Sequence, residues 1–129
     1  MANWMDMGRD SLEASRSLLE QGHWRSSVSR AYFGLYSLVT AQLLAQGFSA
    51  WRKGRENPDH QQILAMLEHN LIDSSKTSVK RQVRRASTTV QRARVVADYG
   101  SGQTVDRSLA VGVLRDVHFV ARQMGSQLV

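Results

Sequence analysis

The sequence predicts an all-α fold, an up-down four-helix bundle with one additional short helix. Three observations point there. Apolar residues recur at three- and four-residue spacing through most of the chain. The one proline and most of the nine glycines fall between those periodic segments. The first connection is so short that the helices it joins must run antiparallel. At 129 residues, with no internal repeat or low-complexity tract, the chain reads as one domain over 1–129.

The first helix begins at Asn3, with Asp6 three residues on as a capping-box-like partner. Trp4, Gly8, Leu12, Ser15 and Leu19 mark its inner face, and Gly22 stops it. The second helix, between Gly22 and Gly47, is the central one. Trp24, Val28, Ala31, Tyr32, Leu35, Val39 and Leu43 share one broad apolar face. Beside it runs a stripe of small residues, Ser27, Gly34, Ser37, Ala41 and Ala45, with Arg30 set into it. A mid-helix glycine costs about 1 kcal/mol against alanine, so Gly34 signals the close approach of another backbone.

Residues 47–58 form the one long connection, polar and basic with Phe48 and Trp51 embedded. Asn57-Pro58-Asp59 reads as a helix start: a capping side chain, proline at the first helical position, and an acid favoured by the dipole. The third helix is short, ending near Leu71, with Ile63, Leu64 and Leu67 inward. The fourth runs from about Ser75 to Tyr99, and Val79, Val83, Ala86, Val90, Ala93 and Ala97 form its seam. Gly100 and Gly102 break the chain, Thr104 is expected to cap the fifth helix, and Leu109, Val113, Val117, Val120 and Met124 carry its buried face.

Composition excludes several chemistries. Without cysteine there is neither a disulfide framework nor thiolate chemistry. The four histidines make no i, i+4 pair, so no zinc site is expected, and no other metal or cofactor is implied. No run approaches the roughly 18 apolar residues of a membrane span, and no signal-peptide pattern opens the chain, so a cytoplasmic protein with no membrane partner is expected. The net charge of +6 and a pI near 10.5 favour an anionic partner, most simply RNA or another nucleic acid.

Where the charge sits narrows this. At about 100° per residue, Arg81, Arg84, Arg85 and Arg92 fall opposite the seam of the fourth helix, and no acid occurs among residues 75–97. A passive solvated helix tends to alternate signs, so these four are candidate phosphate contacts. Arg52 and Lys53, beside Trp51, add a basic loop with a ring able to stack on unpaired bases; covering a bundle end is the plainer job for such a ring. Arg94 lies beside the core, with Asp98 one turn later as a natural partner. Together with Arg30 and Tyr32 they suggest a structural polar network, in which Arg30 reaches an acid such as Asp98 on a neighbouring helix. The alternative for Arg30 is an anion-binding arginine in a cleft.

Three blocks also resemble a known family. Gly22-x-Trp24 followed by Ser29-Arg30-Ala31-Tyr32-Phe33, a histidine at His60 before a short helix, and Arg94-x-x-Ala97-Asp98-Tyr99 closing the fourth helix look like HEPN domains, in this order and across essentially the whole chain. The resemblance is to the small prokaryotic type often paired with a minimal nucleotidyltransferase. It implies a helical bundle that commonly forms a homodimer, in a toxin–antitoxin or defence module. In catalytic members it implies metal-independent RNA cleavage by an Arg-x(4–6)-His motif. Arg55 and His60 have that spacing here. An imidazole can exchange the proton of a ribose hydroxyl or leaving oxygen, and a guanidinium can stabilise charge building on the phosphate. Gln62 stands where some toxin members carry a tyrosine that the partner nucleotidylates. The expected function is therefore work on or near RNA; if the protein is an enzyme, it is an endoribonuclease centred on Arg55 and His60. The alternatives are a non-catalytic module binding a nucleotide or nucleotidyltransferase, and a basic subunit of a ribonucleoprotein complex.

Overall fold

The computed structural model describes residues 3–48, 60–72, 76–100 and 102–125. Among the described residues the chain forms five helices: α1 (Trp4–Glu20), α2 (Trp24–Ala45), α3 (His60–Asn70), α4 (Thr77–Tyr99) and α5 (Arg107–Gln123). Among these described helices α2 alone packs against all four of the others, so it is the axis of the bundle. Its apolar face supplies Val28, Leu35, Leu38, Val39 and Leu43, each 1% exposed or less.

Local chemistry sets the helix ends. The Asn3 side chain accepts from the amides of Met5 and Asp6 at 3.1 and 3.2 Å, satisfying two of the orphan donors of the first turn. At the other end Gly22 takes a φ of +83°. Its amide bonds Leu19 O, and that of His23 bonds Leu18 O, the paired closure that a left-handed glycine permits. This turn sends α2 straight back along α1.

The α1–α2 contact is close because it is built from small residues. A Cβ on Gly34 would lie 2.7 Å from Leu12 Cγ, and one on Gly8 would lie 2.8 Å from Leu38 Cγ. Further along, Ser15 and Ser27 are both fully buried. Each hydroxyl donates to the other residue's carbonyl, at 2.7 and 2.8 Å. Two polar side chains are thus satisfied inside a helix pair without water.

The seam of α4 is as expected: Val83, Ala86, Val90, Ala93 and Ala97 are buried and Val79 partly so. α4 starts at Thr77, and its N-cap, Lys76, makes no side-chain capping bond. The expected cap at Thr104 is corrected to Asp106, whose carboxylate accepts from the Leu109 amide at 2.9 Å. The reason is Val105, which is buried: it packs against the core before the helix can begin. Among the described residues no helix is long and apolar enough to cross a membrane.

Candidate nucleic-acid interface

α4 presents the arginines in two distinct states. Arg81, Arg85 and Arg92 are exposed, and among the described residues none of them forms an ion pair. By helical geometry they lie within about 40° of one another, along about 16 Å of axis. Arg84, about 80° off the middle of that line, is neutralised. Its Nε donates to Glu68 Oε2 at 3.0 Å and its Nη2 bonds the other carboxylate oxygen. This two-point fork, from α4 to the last turn of α3, holds the Glu68 carboxyl below its ordinary range, chiefly through the Arg84 hydrogen bond. Among the described residues the row of four is therefore three cations without an ion pair and one paired. The acid came from another helix, where a scan of α4 alone could not see it.

The stripe runs toward the C-terminal end of α4, where the residues of the sequence motifs converge. Arg94 Nε lies 3.1 Å from Asp98 Oδ2, one turn on. The contact is ionic rather than a directed hydrogen bond: Nε is sealed from solvent and no acceptor lies in line with it among the described residues. The guanidinium also lies over two rings, 5.2 Å from the centroid of Tyr32 and 5.5 Å from that of Tyr99. Tyr32 in turn stacks on Tyr36, and Tyr36 meets the edge of Trp4. The Arg94 head is thereby fixed to α2, and the Tyr99 ring with it.

Beside this stack an open cleft of about 480 Å³ lies between the start of α2 and the end of α4. Arg25, Ser26, Ser29 and Arg30 line it from α2, and Ala97, Asp98 and Tyr99 from α4. Arg30 is exposed and makes no ion pair among the described residues. It stands at the cleft as a free cation, outside the Arg94–Asp98 pair. Tyr99 is 71% exposed.

Arg25 builds the cleft. Its Nη1 donates to the carbonyls of Val96 and Ala97 at 3.0 and 3.1 Å. Its Nη2 donates to Gly100 O at 3.2 Å and also to Gln103 O. The last carbonyls of a helix lack intrahelical partners and carry the negative end of the dipole, and α4 has no basic residue of its own in its last turn. One guanidinium from α2 supplies both needs. The sequence reading missed Arg25. The signal was present: a helix end without a cation, and an arginine in the first turn of the central helix. The i, i+3, i+4 grouping of Ser26, Ser29 and Arg30 was also legible and was not used.

Trp51, Arg52, Lys53 and Arg55 lie outside the described residues, as do Asn57 and Pro58 of the expected helix start. His60 is placed by its backbone as the first residue of α3.

An all-α bundle carrying a cationic helix stripe that leads to a polar cleft is the class that fold and site define. The chain belongs to the HEPN domain family, whose model matches residues 1–124. It is similar to the UPF0332 protein glr0978 of Gloeobacter violaceus, 25% identical over 100 residues, which cover 78% of this chain and 72% of that protein. Membership brings a nuclease or nucleotide-related role into view.

Proposed function

We propose that this HEPN protein binds RNA through the backbone phosphates, along the stripe of Arg81, Arg85 and Arg92. One observation carries the reading: three exposed guanidinium groups share one line of α4, with no carboxylate paired to them among the described residues. Three aligned cations with open donors suit a polyanion, and such contacts release counterions and give affinity its salt dependence. Arg84 is left to hold α3 on α4.

The catalytic part of the proposal assigns metal-independent cleavage to His60 as proton-transfer group and Arg55 as phosphate-stabilising group. It is supported by their five-residue separation in the sequence and by the place of His60 at the head of α3. The test incubates purified protein with total RNA in excess chelator. Cleavage that disappears in His60→Ala, with RNA binding retained, supports it. Cleavage unchanged in that variant removes His60, and binding without cleavage leaves a non-catalytic RNA-binding module.

A second reading, a module that pairs with another protein, is favoured by a shallow apolar groove of about 500 Å³ formed by Gln91, Arg92, Val95 and Val96. Val95 is 45% exposed there. A second copy or a nucleotidyltransferase seated on it would take Arg92 from the stripe. Light scattering with and without RNA separates the readings: RNA and the protein partner then compete.

A further inference from the structure

We infer that the cleft between α2 and α4 seats the terminal nucleotide of an RNA strand, with a phosphomonoester on Arg30 and the base stacked on Tyr99. This rests on the RNA reading and adds to it a preference for a strand end.

Cleft chemistry selects the ligand. At about 480 Å³ it falls in the range of small-ligand sites. Its α2 wall places two hydroxyls and one unpaired guanidinium within a single turn, at Ser26, Ser29 and Arg30. A phosphomonoester offers such a wall three acceptor oxygens and nearly two charges at pH 7. A diester inside a strand has one charge and fewer open oxygens, so the same wall favours an end. The Asp98 carboxylate in the opposite wall is balanced by Arg94, which limits its repulsion and leaves an acceptor for a ribose hydroxyl.

Tyr99 supplies the second half. Arg94 covers one face of its ring, yet the residue remains 71% exposed, so the other face is open. Stacking of a base on an aromatic ring is sequence-tolerant and accounts for much single-strand affinity. Tyr99 follows Arg81 by 18 residues, five full turns, and so lies in line with the stripe, about 27 Å along the axis. A strand tracking the arginines arrives at the cleft.

The experiment measures the affinity of the full chain for one short single-stranded RNA carrying a 5′-phosphate, a 3′-phosphate or only hydroxyl ends. One phosphorylated form should bind about tenfold more tightly than the hydroxyl-ended form, and which one gives the strand direction. Arg30→Met should abolish the difference. Tyr99→Ala should weaken the binding of that form, and Tyr99→Phe should restore it. Both side chains are exposed, so these variants keep the fold. Equal affinity for all three RNAs, with salt-sensitive binding intact, overturns the cleft and leaves the stripe standing. If no RNA binds, the stripe reading fails, and titration with a nucleoside monophosphate decides the cleft. Amide shifts at Ser26, Ser29 and Arg30 that vanish in Arg30→Met uphold it as a nucleotide site; their absence overturns it.

Discussion

Gly8 and Gly34 lie back to back where α1 crosses α2. A Cβ built on either would come within 3.2 or 3.3 Å of the other's carbonyl oxygen, and closer still to a core leucine. This contact sets how closely α2, which carries one wall of the cleft, lies on α1.

Gly34→Val is therefore expected to destabilise the protein by at least about 2 kcal/mol, because the pair must separate or Leu12 must leave its site. Gly112 offers the control. It sits inside α5 with nothing within 4 Å of an added Cβ, so Gly112→Ala should stabilise by about 0.5–1 kcal/mol. Denaturant unfolding of the two variants should give shifts of opposite sign.

Arg25 is the cleft's structural latch. Arg25→Met removes the side-chain donor to the carbonyls of Val96, Ala97, Gly100 and Gln103, of which Val96 and Gly100 keep a backbone donor, and should cost about 2–3 kcal/mol, since bonds from a charged donor are lost. Hydrogen exchange should rise at the amides from Val96 to Gln103. A uniform rise across the whole chain would mean that Arg25 has no special hold on that end.

His118 gives the protein an acid-side weakness. Burial, followed by the nearby charges of Arg16 and Arg122, pushes its pKa below the ordinary 6.5. The unfolded chain therefore takes up a proton before the folded one, and stability falls as pH drops through and below about 6.5. His118→Gln should flatten the decline in thermal midpoint from pH 7 to 5.5. The Glu68 carboxyl, held low by Arg84, loses its contribution separately, as pH falls below about 4.5. Asp116 works the other way: burial raises its pKa, so its protonation relieves the folded state in the acid range.

The ion pair between α3 and α4 restrains one arginine. Glu68→Gln should release Arg84 and tighten RNA binding at low salt about two- to fivefold. Unchanged affinity in a nitrocellulose or anisotropy assay would show that this side of α4 does not face the RNA.

Much of the fold was legible because it repeats along one helix at a time. The Val83–Ala97 seam, the α2 apolar face and the Gly34 signal all depend on residues within a few turns of one another. The site was legible only in part, because its decisive partners come from elsewhere in the chain. Arg94 and Asp98 are one turn apart and could be paired by spacing. Glu68 is 16 residues from Arg84, and Arg25 is 71 or more from the carbonyls it holds. No period links such residues; packing of one helix on another does. The shift from Thr104 to Asp106 has the same origin, since burial of Val105 overrides a serviceable cap.

The most direct measurement of the RNA reading is the salt dependence of single-stranded RNA affinity in the wild type and in a triple Arg81→Gln, Arg85→Gln, Arg92→Gln variant. Each phosphate contact on a single strand contributes about 0.7 to the slope of log affinity against log salt, so losing three should lower its magnitude by about 2. An identical slope in the two proteins would contradict a role for the α4 stripe in holding RNA.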